Sequence, residues 1–253
     1  MQNIYRTFIQ TYQYILDFII PRYCAGCGKE RDALCKACRD NSYQKWANCL
    51  VCGARNMTGS FCAGSCRKQT PTALKKVYWA GKYDNILKTA ISQLKYKKRT
   101  ELAHPLGSLL TKKFIEYSKK IDPNNYVVVP IPLHHTKQSE RGFNQAELIA
   151  RSFAKETSIE MRLDILKKII NTKAQAKTPN RQERMQNLEN AFMVDINSKS
   201  DLNSNYGSRT STTSRTIILI DDVSTTGATL FHASRALSAA GVIKIIGLVV
   251  AHG

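Results

Sequence analysis

With 253 residues, 43% of them hydrophobic, the chain is long enough for one ordinary domain plus a small module and apolar enough to bury a real core. Its formal net charge of +19 at pH 7 points to a polyanionic partner: nucleic acid, a phosphate-rich metabolite or an anionic membrane surface. No stretch is long enough to span a bilayer, which excludes a transmembrane helix and makes the cytoplasm the expected compartment.

Residues 1–21 carry polar positions at helical spacing and stop at Pro21, the pattern of an amphipathic helix. A basic start, an uninterrupted apolar run and a small-residue cleavage site are all missing, so a secretory signal is not expected.

All eight cysteines fall in the next segment, residues 22–70, as Cys24-Ala-Gly-Cys27, Cys35-Lys-Ala-Cys38, Cys49-Leu-Val-Cys52 and Cys62-Ala-Gly-Ser-Cys66. Such short spacers let both thiolates of a tight turn face one ion, and eight thiolates match two closed, four-coordinate Zn²⁺ sites. The expected grouping is sequential: Cys24, Cys27, Cys35 and Cys38 on one ion, Cys49, Cys52, Cys62 and Cys66 on the other. Spacing alone also permits an interleaved grouping, and an iron–sulfur cluster is the main alternative to zinc. A disulfide framework is disfavoured in a reducing cytosol. Some forty residues cannot bury much core, so the metal is expected to supply the folding energy of this head.

Residues 71–253 read as a second, α/β domain. A strand is predicted over Lys76–Ala80 and a helix over roughly Asp84–Leu94. Then comes the basic cluster Lys95-Tyr96-Lys97-Lys98-Arg99. It fits a solvated face, a grip on pyrophosphate, or a nucleic-acid track on which Tyr96 stacks a base. Helix-like sequence runs from Leu102 to about Lys119. Tyr126–Pro132 is a short apolar strand, followed by a loop carrying His134, His135, Lys137 and Arg141, then a helix to about Lys155. Ligands of open α/β sheets bind at the C-terminal ends of strands, which puts Arg141 where an anion would sit. Residues 171–187 are polar and basic and read as a connection that faces solvent or orders over a ligand. Residues 196–216, rich in Ser, Thr and Asn, read as a flexible insertion.

The richest segment is residues 217–229. Ile217–Ile220 form a buried strand, Asp221 and Asp222 stand at its end, and Ser224-Thr225-Thr226-Gly227-Ala228-Thr229 is a small hydroxyl-rich turn. A helix over Leu230–Ala240 follows. Strand, turn and helix together aim backbone amides and a helix N-terminus at one point, an anion cradle to which the hydroxyls add donors. Paired carboxylates suit the two hydroxyls of a ribose, and Mg²⁺ would reduce their repulsion. The segment reads as a ribose 5-phosphate site: Asp221 and Asp222 for ribose and Mg²⁺, Ser224 to Thr229 for the 5-phosphate. The competing reading is a plain strand-to-helix turn capped by its own Asp and Ser/Thr side chains.

This stretch resembles the phosphoribosyl pyrophosphate motif of type I phosphoribosyltransferases, and the wider chain resembles the ComF family, the ComFC- and GntX-like proteins. The resemblance rests on the eight-cysteine head, Leu94-Lys95-Tyr96 with Arg99, Val129-Pro130-Ile131-Pro132-Leu133-His134, and Arg141-Gly142-Phe143-Asn144-Gln145-Ala146. Thr172 with Gln175, Arg184 through Asn187 to Ala191-Phe192, and Asp221 to Thr229 continue it. It implies a double zinc ribbon ahead of a type I phosphoribosyltransferase-like parallel sheet flanked by helices. It also implies a part in natural competence, handling incoming single-stranded DNA alongside competence-machinery proteins. Phosphoribosyl pyrophosphate with Mg²⁺ is then the expected ligand, and Lys95, Lys97, Arg99 and Arg141 are the candidates for its pyrophosphate. Purine-type members carry an aspartate three residues after the acidic pair as an acid/base group. Here that position is Thr225, which weakens a purine-salvage reading and leaves the acceptor and any catalytic residue unassigned. Two other classes stay open: a conventional phosphoribosyltransferase acting on a base or small amine, and a non-catalytic nucleic-acid-binding zinc protein.

Overall fold

A computed structural model describes residues 22–30, 32–52, 54–56, 59–62, 66, 73–118, 121–171, 188, 190–195 and 215–253. The expected N-terminal helix lies outside these residues. So do the connection from 172 to 187, with Thr172, Gln175 and Arg184 to Asn187, and the insertion from 196 to 214.

Four parallel strands form the centre: β3 (Leu74–Lys82), β4 (Tyr126–Pro130), β7 (Thr216–Ser224) and β8 (Ile245–His252), in the order β3-β8-β7-β4. These are the aliphatic runs of the sequence, and burial on both faces explains why they lack a polar alternation. Sheet positions pointing to one side, including Ile218, Ile220, Leu248 and Val250, pack on α2 (Asn85–Tyr96), α3 (Ala103–Tyr117) and α5 (Gln145–Thr157). Those pointing to the other side, among them Val77, Ile217, Leu219 and Val249, pack on α6 (Ala228–Ala239) and on the small antiparallel pair β5 (Leu166–Lys168) and β6 (Phe192–Val194). The α/β class with its parallel sheet is therefore as expected.

Two readings need correction, and one strand comes in addition. The strand expected over Ile217–Ile220 continues to Ser224, so Asp221 and Asp222 lie within β7 rather than beyond its end. Residues His135–Arg141, expected as loop, form α4, because the His134 ring caps its start by accepting from the Thr136 amide at 3.4 Å. Strand β8 follows Gly241 and pairs with both β3 and β7.

The cysteine head contains α1 (Lys36–Ser42) and the two-residue strands β1 (Ala47–Asn48) and β2 (Arg55–Asn56). It runs along the outer edge of β3: the Gln44 amide donates to the Ala80 carbonyl at 2.7 Å, and the Val77 amide donates to the Gly59 carbonyl at 2.9 Å. A sheet edge that would otherwise be open is thereby paired. The joint is reinforced from α3, where Lys113 donates to the Gln44 carbonyl and the Tyr117 hydroxyl to the Lys45 carbonyl. Cys24, Leu34 and Cys38 share one core with Leu87, Ile91 and Leu110, while Leu50 and Phe61 lean on the core of the opposite face. The two cysteine clusters thus straddle the sheet.

Candidate metal and ribose-phosphate sites

The cysteines assemble as two sets, Cys24, Cys27, Cys35 and Cys38, and Cys49, Cys52, Cys62 and Cys66, the sulfurs of each set lying within 4.8 Å of one another. A tetrahedral Zn²⁺ with bonds near 2.3 Å requires sulfur separations of about 3.8 Å. Cys27 Sγ to Cys35 Sγ is 3.9 Å and Cys52 Sγ to Cys62 Sγ is 3.6 Å, so both sets are compatible with structural zinc. Burial alone would raise the Cys24 thiol, but donors from the Cys35, Cys27 and Gly26 amides pull it down to about 6. Cys49 is also lowered to about 6 against the effect of burial, by the Cys62, Cys52 and Val51 amides. Amides aimed at sulfur stabilise the thiolate form that binds metal.

Along β7, Asp221 and Asp222 are 7% and 3% exposed, and as neighbours on a strand they leave it on opposite faces. Asp222 forms an ion pair with Lys95 from α2. Burial disfavours the Lys95 ammonium, yet Asp222 outweighs that and holds its pKa above the ordinary value. Asp221 has its pKa pushed well up by burial and then by the Asp222 charge, with Lys95 opposing. The pair is electrostatically loaded: two carboxylates in little water, with one ammonium paired to Asp222.

Lys168 stands near Asp221 and belongs to a run of basic side chains with Lys137, Arg141 and His134. Lys168, at the end of β5, is lowered to about 8 by burial and by Lys137, with Asp221 acting the other way. Lys137 is lowered by burial and by Arg141. His134 is lowered by burial, His135, Lys168 and Lys137. Repulsion of this kind is relieved by an anion. The sequence reading did not single out Lys168. The signal was alternation in Leu166-Lys167-Lys168, which puts Lys168 on the inward face with buried Leu166.

After β7 the chain turns through Thr225, Thr226 and Gly227 into α6. Gly227 has φ +77°, and a Cβ there would come within 2.2 Å of the Leu50 side chain from the Cys49–Cys52 knuckle. Glycine is required both by the left-handed backbone and by that approach. Thr226 Oγ1 accepts from the Ala228 amide at 3.4 Å, across Gly227 at the N-cap of α6. Ser224 Oγ is buried with no hydrogen-bond partner within the described residues.

The four pyrophosphate candidates do not all converge. Lys95 is engaged at Asp222. Arg141 donates to Gln145 and lies 5.5 Å from the ring centre of exposed Tyr96. Lys97 is exposed just past the end of α2. Arg99 is fully occupied elsewhere, donating to Glu101 at 2.7 Å, Gln93 at 2.7 Å and the Tyr23 carbonyl at 2.9 Å. It ties the head to α2 rather than facing Asp221. In the Arg141-to-Gln145 string, Gly142 ends α4 at φ +85°. Asn144 starts α5 by accepting from the Ala146 amide at 3.0 Å and donates to the Ile131 carbonyl at 3.0 Å.

No family model matches the chain. Competence protein F of Haemophilus influenzae is 28% identical over 217 residues, covering 85% of this chain and 88% of that protein. Competence protein ComFC of Bacillus subtilis is 28% identical over 214 residues, 83% of this chain and 79% of that one. The DNA utilization protein YhgH of Salmonella typhi is 24% identical over 213 residues, 84% and 87%. Among the described residues no helix is long and apolar enough to cross a membrane.

Proposed function

From homology to competence protein F and ComFC, we propose that this chain is a zinc-stabilised, phosphoribosyltransferase-like protein of DNA uptake that binds ribose 5-phosphate at the β7–α6 turn. The observation that carries this is the junction itself: a left-handed glycine at the N-terminus of α6, directly after a buried acidic pair whose Asp222 is held by Lys95. Phosphoribosyl pyrophosphate with Mg²⁺ is the ligand that uses every part. The turn takes the 5-phosphate, Asp221 and Asp222 take the ribose hydroxyls and the ion, and His134, Lys137 and Lys168 face the pyrophosphate. A divalent cation also compensates the charge that burial makes costly at Asp221. The chain's residues hold and position; none is assigned acid/base work, and the acceptor is unassigned. Any transfer reaction would proceed through loss of pyrophosphate, whose charge Lys137 and Lys168 would neutralise.

Zinc in both cysteine sets would fix the head along β3, and the head's place beside the turn makes it part of the binding face. A second reading, single-stranded DNA binding, is favoured by the pairing of Arg141 with exposed Tyr96 next to Lys97, a cation-and-ring surface of the kind that stacks bases.

Calorimetry tests the first reading. Phosphoribosyl pyrophosphate should bind only with Mg²⁺, and Asp221→Asn with Asp222→Asn should abolish binding while circular dichroism stays native. No binding by the unaltered protein overturns it. Salt-dependent binding of single-stranded DNA that survives the double substitution would assign DNA to the surface around Tyr96 instead.

A further inference from the structure

Both tryptophans of the chain line one cavity of about 240 Å³, where the head meets the C-terminal ends of β3 and β8. Its walls are Gln44, Trp46 and Arg55 from the head and Trp79, Lys82 and His252 from the sheet. On one side the Arg55 guanidinium lies 4.7 Å from the Trp46 ring centre, and Trp46 is 41% exposed. On the other, the Trp79 and His252 rings stack at 4.4 Å between centres, 23° from parallel. Two such flat walls, with cations at the rim, match a planar heteroaromatic ring. The His252 Nδ1 is buried without a close hydrogen-bond partner within the described residues, and burial keeps the imidazole toward its neutral form against a contact with the Ser224 backbone that works the other way. A neutral ring nitrogen can address the edge of a nucleobase.

Position ties this cavity to the phosphate turn. His252 pairs in register with Ser224, whose Oγ is likewise buried and unpartnered. Adjacent strands are about 4.8 Å apart, so the last residue of β7 before the turn lies directly beside a residue that lines the cavity.

We propose that this cavity is a base subsite, and that cavity and turn together hold one 5′-phosphorylated nucleotide. The inference rests on the ribose-phosphate reading of the turn and extends it: the head supplies half of the base pocket. The cavity admits a single base, and free nucleoside monophosphate and the 5′-phosphorylated end of a DNA strand share the required chemistry.

Titration of the full chain with adenosine 5′-monophosphate, ribose 5-phosphate and a 5′-phosphorylated trideoxyadenylate tests this, read by calorimetry and tryptophan fluorescence. The adenylate should bind about tenfold or more tighter than ribose 5-phosphate and quench the fluorescence, as stacking on aromatic side chains predicts. Trp46→Ala should bring it down to the ribose 5-phosphate level while leaving ribose 5-phosphate itself within about twofold, and Trp46→Phe should keep most of the gain. If Trp46→Ala lowers the melting temperature, Arg55→Gln should show the same selective loss. A gain for the trideoxyadenylate alone would assign the subsite to a DNA end, and a gain for the mononucleotide alone to a free nucleotide. Equal affinity for all three ligands, with no quenching, overturns the base subsite and leaves the turn's assignment standing. Failure of ribose 5-phosphate to bind, with the adenylate still Trp46-dependent, overturns the turn instead.

Discussion

Lys168 has a pKa lowered to about 8, so near neutral pH it is still charged but easily discharged. Its protonated form is the one that attracts an anion. Affinity for phosphoribosyl pyrophosphate should therefore be full below pH 8 and fall as pH rises through that value. In Lys168→Met the affinity should be lower and that limb flat, measured by calorimetry between pH 7 and about 9.5. A limb that persists in the variant would assign the titration to another group. Gly227 makes a second residue-scale prediction. Gly227→Ala forces a left-handed backbone on alanine and drives a methyl against Leu50, and should destabilise by about 1–2 kcal/mol. Leu50→Ala in the same chain should recover the steric part only, as read by urea denaturation. The acidic pair was legible as residue types, but its division between two faces was not, because that depends on how far β7 extends.

Among the elements, α5 owes its starting point to Asn144, whose side chain caps the helix and ties it to Ile131 beyond β4. Asn144→Ala removes both bonds at a buried position and should cost about 1–2 kcal/mol, visible as a lower melting temperature with α5 amides exchanging faster. Strands and long helices were readable from their apolar runs and helical periodicity. Helix α4 was not, since His135-Thr-Lys-Gln-Ser-Glu-Arg141 contains no apolar residue to mark a face, and its start is set by a histidine cap. The string Arg141 to Gln145 is now physically intelligible: the glycine ends one helix, the asparagine begins the next, and the glutamine holds the arginine.

At the scale of the whole molecule, the head and sheet behave as one packed body in the structure, with Cys24 and Cys38 in the same core as Leu87 and Leu110. The sequence showed two sets of thiols with zinc spacing but not that they straddle β3, because contacts between distant segments leave no periodic trace. Stripping bound metal should therefore lower the unfolding midpoint of the entire chain in one calorimetric transition. A separate low-temperature transition with the sheet's own midpoint unchanged would mean that the head is energetically independent. The most direct test of the central assignment is where hydrogen exchange slows when Mg²⁺ and phosphoribosyl pyrophosphate are added. Protection is predicted at the amides of residues 224–230, the turn and first residues of α6, with lesser effects at residues 134–137 and 166–168. Binding that leaves the turn's exchange unchanged and protects another surface would contradict the assignment of ribose 5-phosphate to this turn.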